Sequence, residues 1–422
     1  IAAQAYNNRD PAVIVVGGGQ GGLDIAARLG QLGVDTLIVD KNKRIGDNWR
    51  NRYHSLTLHN EVHVNHMPYM PFPETWPTYV PKDKLANWFE SYADAMELNI
   101  WTDTEFAGGS YDDKDQKWTV TLRRGDGSER VMHPRHVVMA VGVSGIKNMP
   151  DLPGLHDYAG TVLHSTEYTD GEPWDGKRAL ILGTGNSGHD VAQDLHSHGA
   201  HATLVQRRPT TVVSVEPSGQ LVYALYKEGP PTEDCDLIVT SVPFPVLKRT
   251  YQMIVKESQK SDKKLLEQLD AVGFKMDVGE EGTGFQMKYL QRGGGYYLDV
   301  GCSQLIIDGD VGLLQFDEID TVVAQGARLK DGKIIPADLL VLATGYMGQQ
   351  DLMRLLFGDK IADRAGLVWG FAEDGELANM WKRTGQPGLW FIAGSLAQCR
   401  IYSKYLALQI KACEEGIISL QL

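Results

Sequence analysis

Residues 12–40 read AVIVVGGGQGGLDIAARLGQLGVDTLIVD. The segment opens with an apolar run at 12–16, which is typical of a strand covered on both faces of a parallel sheet. Residues 17–22 are rich in glycine, and residues 23–33 have helical spacing with a glycine at the end. A second apolar run ends on Asp40. The order of strand, GxGxxG, helix, strand and acid within about 30 residues predicts a dinucleotide-binding unit.

Each residue of this motif has a physical role at a bound dinucleotide. Gly17 permits a tight turn, Gly19 lets the backbone approach a pyrophosphate, and Gly22 lets the helix pack closely on the strand. The helix N-terminus offers free N–H groups and a positive dipole end to the phosphates. We expect Asp40 to accept a hydrogen bond from a ribose hydroxyl, with Lys41 as either a second contact or a solvated surface charge.

A second copy of the unit begins at residue 178. An apolar run at 178–182 leads into GTGNSG, a helical segment and a further apolar run that ends in Gln206, Arg207 and Arg208. An acid at this place suits a free ribose 2′-hydroxyl, whereas an arginine suits a 2′-phosphate. The acid therefore predicts FAD at the first site, and the arginines predict NADPH at the second. The expected contacts at the second site are Gly183, Gly185, Asn186, Ser187, Gly188, Arg207 and Arg208.

Each unit is followed by a similar closing segment. Residues 135–142 and 338–346 have the pattern of buried strands that end near a glycine. An Asp-Gly pair precedes each of them, at 126–127 and 331–332, and this pair is typical of a tight hairpin. The repetition predicts a β-meander that returns to a nucleotide-binding sheet once in each domain.

The composition excludes several classes of function. The chain has 41 Lys+Arg against 54 Asp+Glu, a net charge of -13 and a pI near 5.4. This balance argues against nucleic acid or an anionic membrane surface as a partner. No apolar stretch reaches the roughly 18 residues of a membrane span, and the N-terminus has no signal-peptide pattern. The sequence predicts a cytoplasmic protein without a membrane partner, and it leaves a homo-oligomer open.

Neither the cysteines nor the histidines indicate a metal site. The four cysteines contain no C-x-x-C pair, so a disulfide framework, a zinc knuckle and a redox dithiol are all disfavoured. Two groups of histidines lack cysteine or obvious carboxylate partners. They are His59, His63 and His66, and His189, His196, His198 and His201.

Five further segments resemble the class B flavoprotein monooxygenases. Residues 158–168, YAGTVLHSTEY, are similar to the family motif F-x-G-x-x-x-H-x-x-x-[YF], with Tyr158 in place of Phe. Residues 46–73, 186–188 and 343–346 also resemble family segments, and residues 394–409 are similar to long fungal members. The family includes flavin-containing, plant-type indole-3-pyruvate and Baeyer–Villiger monooxygenases. Some long members carry an extra N-terminal domain, which would explain a chain that starts at Ile1 without Met.

The resemblance implies an α/β fold with two Rossmann-like dinucleotide-binding domains. The FAD domain is interrupted by an inserted NADPH domain. We expect the FAD domain at residues 1–160 and 336–422, and the NADPH domain at 161–335. Residues 210–300 are the least informative, although 254–274 has helical spacing, and both a substrate pocket and a plain insertion are compatible with this segment.

The resemblance also implies which residues surround the flavin. Trp49 and Arg50 stand where the family lines FAD. His59 and Asn60 stand near a functional Asn of flavin-containing monooxygenases, and either is a candidate catalytic residue that hydrogen-bonds the flavin or its peroxide. Further expected cofactor contacts are Thr344, Gly345 and Gly394.

The implied reaction begins with hydride transfer from NADPH to FAD. Oxygen then adds at flavin C4a, and the C4a-(hydro)peroxyflavin oxygenates a small organic substrate. N- or S-oxygenation, oxidative decarboxylation of a 2-oxo acid such as indole-3-pyruvate, and Baeyer–Villiger insertion are all open. Tyr168, where Baeyer–Villiger members have Trp, favours the first two, and Leu58-His59 favours the indole-3-pyruvate type. The alternatives are an FAD/NADPH reductase or oxidase without substrate oxygenation, and a non-catalytic nucleotide-sensing module.

Overall fold

The computed structural model describes residues 5–143 and 145–421. These residues form two compact units. The first unit comprises 5–51, 61–143, 145–146 and 346–421, and the second comprises 52–60 and 147–345. No helix among the described residues is both long enough and apolar enough to cross a membrane.

The described residues contain eighteen strands, numbered in chain order. They are β1 (Val13–Val16), β2 (Thr36–Val39), β3 (Ile100–Trp101), β4 (Thr104–Asp112), β5 (Lys117–Arg124), β6 (Glu129–Met132), β7 (His136–Met139), β8 (Thr161–His164), β9 (Arg178–Leu182), β10 (His201–Gln206), β11 (Thr211–Ser214), β12 (Tyr296–Asp299), β13 (Gly312–Gln315), β14 (Ile319–Val323), β15 (Gly326–Leu329), β16 (Ile334–Pro336), β17 (Leu339–Leu342) and β18 (Leu389–Phe391).

Thirteen α-helices lie in the same part of the chain. They are α1 (Gln20–Gln31), α2 (Asp47–Arg50), α3 (Lys82–Ala95), α4 (Asn186–Ser197), α5 (Ala224–Glu228), α6 (Thr232–Thr240), α7 (Phe244–Ser261), α8 (Lys263–Ala271), α9 (Gly284–Arg292), α10 (Cys302–Asp308), α11 (Gln349–Phe357), α12 (Asp359–Ala365) and α13 (Leu396–Glu414).

The core of the first unit is a five-stranded parallel sheet. Its strand order is β18-β7-β1-β2-β3. Every residue of β1, β2 and β7 is buried, as expected for strands covered on both faces. Helix α1 packs against both β2 and α13. Strands β4, β5 and β6 form an antiparallel meander that leads the chain into β7.

The second unit repeats this plan. Its parallel sheet has the order β13-β10-β9-β17-β8, and the meander β14-β15-β16 leads into β17. The residues at 126–127 and 331–332 connect β5 to β6 and β15 to β16, so both predicted hairpins are confirmed. The predicted α/β class with two Rossmann-type sheets is confirmed as well.

The unit boundaries differ from the expected domain boundaries. Strand β17 lies between β9 and β8, where Val341 pairs with both Ile181 and Leu163. The closing segment of the second unit therefore completes its own sheet, whereas we expected residues from 336 onwards to belong to the FAD domain. Residues 147–160 and 52–60 also belong to the second unit. Strand order is a long-range property, which the local sequence pattern does not carry.

The region between β11 and β12 is helical. The helical pattern expected over 254–274 corresponds to α7 and α8, although α7 begins earlier, at Phe244. The two strands on either side, β11 and β12, pair in parallel, and α9 contacts both of them. The segment that the sequence left least informative thus forms a helical layer with its own packing partners.

Candidate functional site

The first glycine loop, residues 17–22, has a backbone that requires glycine at two positions. Gly17 has φ +107°, and a Cβ there would lie 2.5 Å from the carbonyl oxygen of Ala140. A Cβ on Gly22 would lie only 1.8 Å from the carbonyl oxygen of Gly17. These close approaches bring the N-terminus of α1 to the end of β1, where a phosphate would meet free N–H groups.

Asp40 closes the first site from the end of β2. Its Oδ2 accepts a hydrogen bond from the Gly18 backbone N–H at 2.6 Å, and its Oδ1 accepts one from the Asn42 N–H at 2.7 Å. A carboxylate has about four acceptor positions, so Asp40 can still accept from a ribose hydroxyl. Gly19 is the N-cap of α1 in an extended conformation, and Lys41 is exposed.

Gly394 lies beside the first glycine loop at the start of α13. Its carbonyl oxygen accepts a hydrogen bond from Gln20 Nε2 at 3.1 Å, and its φ is +116°. The next residue, Ser395, forms a capping box with Gln398: Ser395 Oγ accepts from the Gln398 N–H at 3.2 Å, and Gln398 Oε1 accepts from the Ser395 N–H at 3.1 Å. Two helix N-termini, those of α1 and α13, are therefore adjacent at this edge of the sheet.

Trp49 and Arg50 both lie in the short helix α2, but they are held differently. Arg50 makes ion pairs with Asp47 at 3.0 Å and Glu90 at 3.0 Å. These partners neutralise the guanidinium and fix α2 against α3. Trp49 is half-buried, and its Nε1–H is buried without a hydrogen-bond partner among the described residues. A donor of this kind is available to a bound molecule or to a water.

The second glycine loop, residues 183–188, repeats the geometry of the first. Gly183 has φ +121°, and a Cβ there would lie 2.3 Å from the carbonyl oxygen of Ala343. A Cβ on Gly188 would lie 2.1 Å from the carbonyl oxygen of Gly183. Gly185 is the N-cap of α4, in the same extended conformation as its counterpart on α1. The two halves of the chain therefore present two equivalent phosphate-type loops.

Asn186 and Ser187 use their side chains inside the second unit. Asn186 Oδ1 accepts a hydrogen bond from the Leu298 N–H at 2.9 Å, which anchors β12 to the start of α4. Ser187 lies beside Tyr53, whose hydroxyl donates to Asp190 Oδ2 at 2.6 Å. Both residues lie in the first turn of α4, where backbone N–H groups have no partner within the helix.

The end of β10 presents two exposed cations. Arg207 and Arg208 lie directly after the strand. The preceding Gln206 is buried instead, and it exchanges two hydrogen bonds of 2.8 Å with the backbone of Lys275. Val39 and Val205 pair with equivalent residues of the two sheets, so Gln206 stands where Asp40 stands in the first unit and the arginines follow it directly.

Thr344 and Gly345 extend the end of β17 in the second unit. Thr344 Oγ1 donates to the carbonyl oxygen of Asn148 at 2.6 Å, and Gly345 has φ +77°. Burial lowers the pKa of His164, so this side chain is neutral and its Nε2 donates to the carbonyl oxygen of Gly345 at 3.1 Å. His164, a motif residue, thus fixes the end of β17 to the end of β8 and has a structural role.

His59 and Asn60 lie in segment 52–60, which belongs to the second unit. Both are half-buried, and the carbonyl oxygen of His59 accepts a hydrogen bond from Gln220 Nε2 at 3.0 Å. Burial raises the pKa of the Asp190 carboxyl group. The electrostatic interaction with nearby His59 offsets only part of this increase. His59 thus lies near the half-buried carboxyl group of Asp190 on α4.

Tyr168 and His189 are packing residues of the second unit. Tyr168 is 1% exposed and donates to Asp194 Oδ2 at 2.6 Å. Burial lowers the pKa of His189 to about 4, and the neutral ring stacks on Tyr297 with 3.7 Å between centroids.

Among residues 5–143 and 145–421, no group of three His, Cys, Asp or Glu side chains is arranged to hold a metal. The four cysteines are all buried and unbridged.

Asp24, which the sequence motifs did not indicate, lies on α1 one turn beyond the first glycine loop. The side chain is 0% exposed, and within the described residues neither carboxyl oxygen has a hydrogen-bond partner. Burial raises the pKa of Asp24 well above its ordinary value, and the charges of Arg400 and Arg28 oppose this only in part. Its position between Leu23 and Ile25, in an otherwise apolar helical face, was the signal that could have identified it.

Asp24→Asn is expected to change how stability depends on pH. Below the ordinary carboxyl pKa both states are protonated, and Asp24 has no ionisation cost. As the pH rises through that value the unfolded chain loses the proton while the folded chain keeps it, so the folded state is destabilised. The variant removes this component, so its free energy of unfolding relative to the wild type should be higher at pH 8 than at pH 4. Thermal unfolding at both pH values measures it.

The matched control for this prediction is Asp94→Asn, because Asp94 is exposed on α3 of the same unit. This control should follow the wild type at both pH values. An Asp24→Asn variant with the pH profile of the wild type would contradict the assignment of a protonated, buried carboxyl group.

Comparison with known proteins identifies the family. The sequence pattern of the pyridine nucleotide-disulphide oxidoreductases matches residues 14–226, half of the chain, and the chain belongs to this family. Indole-3-pyruvate monooxygenase YUCCA1 of Oryza sativa subsp. japonica is 30% identical over 341 residues, which cover 80% of this chain and 77% of that protein. A probable indole-3-pyruvate monooxygenase of Arabidopsis thaliana, YUCCA3, is 29% identical and covers 79% of this chain and 72% of its own length.

Solved structures agree with this assignment at the level of the fold. A cyclohexanone monooxygenase from Rhodococcus sp. Phi1 bound to NADP+ has a TM-score of 0.68 at 20% identity, covering 96% of this chain and 85% of that one. A flavin-containing monooxygenase from Stenotrophomonas maltophilia has a TM-score of 0.66 at 18% identity, covering 96% and 99%. The chain is a class B flavin-dependent monooxygenase, which confirms the family resemblance of the motifs.

Proposed function

We propose that this chain is an NADPH-dependent FAD monooxygenase that transfers one oxygen atom from O2 to a small organic substrate. The observation that carries the proposal is the pair of glycine loops with equivalent close approaches. The two units differ in the residues directly after their second strands, which are Asp40 in the first unit and exposed Arg207 and Arg208 in the second. This difference supports two different dinucleotides in one chain.

Several features of the first unit support FAD binding. Its glycine loop is a cradle that a Cβ would fill, and Asp40 retains acceptor capacity for a ribose. The unpaired Nε1–H of Trp49 offers a donor to a cofactor atom. Arg50 positions α2 through its ion pairs. The proposed FAD contacts are Gly17, Gly19, Gly22, Asp40, Lys41, Trp49 and Gly394, with Arg50 in support.

The second unit has the features that NADPH requires. A guanidinium group matches a phosphate with two parallel hydrogen bonds, so Arg207 and Arg208 suit the 2′-phosphate that distinguishes NADPH from NADH. Thr344 and Gly345 come directly after Ala343, against which this glycine loop packs. The proposed NADPH contacts are Gly183, Gly185, Asn186, Ser187, Gly188, Arg207, Arg208, Thr344 and Gly345.

The cofactors supply the reactivity. The second glycine loop would hold NADPH, which would supply a hydride, and the first would hold FAD, which would supply the chemistry that transfers an oxygen atom from O2. The chain binds and orients both dinucleotides and excludes water. The substrate class that the relatives favour is a 2-oxo acid, since both plant relatives are named for indole-3-pyruvate.

A substrate panel tests the proposed reaction. FAD-loaded protein with NADPH in air is given indole-3-pyruvate, thioanisole, N,N-dimethylbenzylamine and cyclohexanone in separate reactions, and the products are identified by mass spectrometry. We expect decarboxylation of the 2-oxo acid or oxygenation of the sulfide or amine. Conversion of cyclohexanone alone to its lactone would favour the Baeyer–Villiger alternative. NADPH oxidation that yields only hydrogen peroxide would favour the oxidase alternative.

His59 and Asn60 are the proposed catalytic residues, through a hydrogen bond to the flavin or to its oxygen adduct. The contacts of His59 support this role. Gln220 binds only the backbone carbonyl of His59, so this hydrogen bond does not involve the imidazole. Alanine at the residue that makes this bond should leave the rate of NADPH oxidation unchanged. About tenfold more of the NADPH consumed should yield hydrogen peroxide, because a tenfold change corresponds to the loss of a single hydrogen bond. Peroxide and product are measured per NADPH consumed.

The matched control is His54→Ala, because His54 lies in the same segment with its side chain 70% exposed. This variant should keep the product yield of the wild type. If His59→Ala and Asn60→Ala both retain the wild-type yield, the catalytic role of this pair is wrong.

A further inference from the structure

The second unit contains a cavity of about 270 Å³ that is separate from its glycine loop. Helices α7 and α9 and strand β11 form its walls. None of the residues proposed to hold NADPH lines it. Its apolar lining includes Val212, Val213, Ile254, Val255, Met276 and Phe285. A concave, mainly apolar cavity with a few polar groups is the usual form of a small-molecule site.

Two carboxylates line this cavity, and only one is neutralised. Asp277 makes an ion pair with Lys288 at 2.6 Å. Asp262 is 5% exposed and accepts two hydrogen bonds from Ser214, at 2.6 Å from Oγ and at 3.0 Å from the backbone N–H. Within the described residues Asp262 has no ion-pair partner.

The neighbouring cation does not supply the missing charge. Lys263 is 73% exposed and makes its ion pair with Glu267 along α8. Buried carboxylates in proteins are normally paired with a cation, because an unpaired charge is costly in an apolar environment. A cation in the cavity would supply the charge that Asp262 lacks.

We propose that this cavity binds a small apolar amine in its protonated form. The ammonium group donates to the carboxylate of Asp262, which has acceptor positions beyond the two that Ser214 uses. The hydrocarbon part of the molecule packs against the apolar walls formed by α7 and β11. The volume suits a monocyclic amine. The site is independent of the monooxygenase reaction, so its occupancy is measured without turnover.

Isothermal titration calorimetry on the FAD-loaded full chain, without NADPH, tests the site. The probe is 2-phenylethylamine, and its uncharged and anionic analogues are 2-phenylethanol and phenylacetate. We expect the amine to bind about tenfold or more tightly than the alcohol, and phenylacetate not to bind. Asp262→Asn keeps a side-chain oxygen for Ser214 but removes the charge. This variant should lose the advantage of the amine and bind the alcohol as the wild type does.

Two further variants locate the binding. Asp270→Asn removes an exposed carboxylate on α8 and should bind the amine as tightly as the wild type. Val255→Phe fills the cavity and should abolish binding of both the amine and the alcohol, with FAD content and thermal unfolding as checks on its folding. An amine affinity that is unchanged in Asp262→Asn would overturn the proposal. So would wild-type protein that does not bind the amine.

Discussion

Gly22→Ala is expected to abolish retention of the flavin. The new methyl group would lie 1.8 Å from the carbonyl oxygen of Gly17, and this neighbour is backbone that cannot rotate away. Helix α1 must therefore move from β1, and its N–H groups leave the position of the pyrophosphate. The flavin absorbance of the purified variant, relative to protein, measures the result. We expect the affinity for FAD to fall about 100-fold, because a fall of this size corresponds to the free-energy cost of overpacking at such a contact.

Gly188→Ala makes the equivalent change in the second unit and distinguishes the loop that binds NADPH from the loop that binds FAD. A Cβ there would lie 2.1 Å from the carbonyl oxygen of Gly183. We expect this variant to retain FAD and to lose about 100-fold in NADPH affinity, because only the second loop is displaced. Anaerobic reduction of the flavin at increasing NADPH concentrations measures this loss.

Two glycines provide the controls for this pair. Gly30 lies within α1 and Gly294 in the second unit, and an added Cβ meets no atom within 4 Å at either position. Gly30→Ala should keep FAD and gain about 0.5–1 kcal/mol in the stability of the helix. Gly294→Ala should be reduced by NADPH as the wild type is. A Gly188→Ala variant with wild-type reduction by NADPH would show that the second loop does not hold that cofactor.

Replacing Arg207 and Arg208 together with alanine is expected to remove the preference for NADPH over NADH. Both side chains are exposed at the end of β10, where the 2′-phosphate of the adenosine ribose would lie. One charge-assisted contact contributes about 1.5–3 kcal/mol, so KM for NADPH should rise about 10- to 100-fold. KM for NADH should change little, because NADH has no phosphate at that position.

The single variants and a distant arginine complete this test. Arg207→Ala and Arg208→Ala separate the residue that binds phosphate from one that is only solvated. Arg249→Ala removes an exposed positive charge on α7 of the same unit and should leave both KM values unchanged. A double variant that keeps the full preference for NADPH would contradict the assignment of the second site.

The glycine loops could be predicted from the sequence because their requirement is local. Gly17 and Gly22 contact each other within six residues, and the same spacing recurs at Gly183 and Gly188. The charge at the end of each second strand is equally local. The cofactor choice inferred from Asp40 and from the arginines therefore depends on short-range chemistry that the sequence states directly.

The features that the sequence did not reveal depend on distant contacts. One of them is the position of β17 between β9 and β8, which precede it by more than 150 residues. Asp24 is buried because α1 packs against α13 from the far end of the chain. Arg50 remains a proposed flavin contact, and its ion pair with Glu90 depends on the packing of α2 on α3. No local pattern carries this information.

The cavity between α7, α9 and β11 is a further case. Its polar residue Asp262 stands between two helices in the sequence, where a carboxylate is most simply interpreted as a cap. The structure shows that its side chain makes no cap hydrogen bond and instead accepts from Ser214 in β11. The site depends on a contact between elements 48 residues apart.

Stopped-flow spectroscopy tests the central claim most directly. FAD-loaded protein is reduced anaerobically with NADPH and then mixed with oxygen in the absence of substrate. We expect an absorbance that belongs to neither reduced nor oxidised flavin, that persists, and that decays on mixing with a substrate that is oxygenated. Immediate return to oxidised flavin with one hydrogen peroxide released per flavin would contradict the assignment of this chain as an oxygenating enzyme.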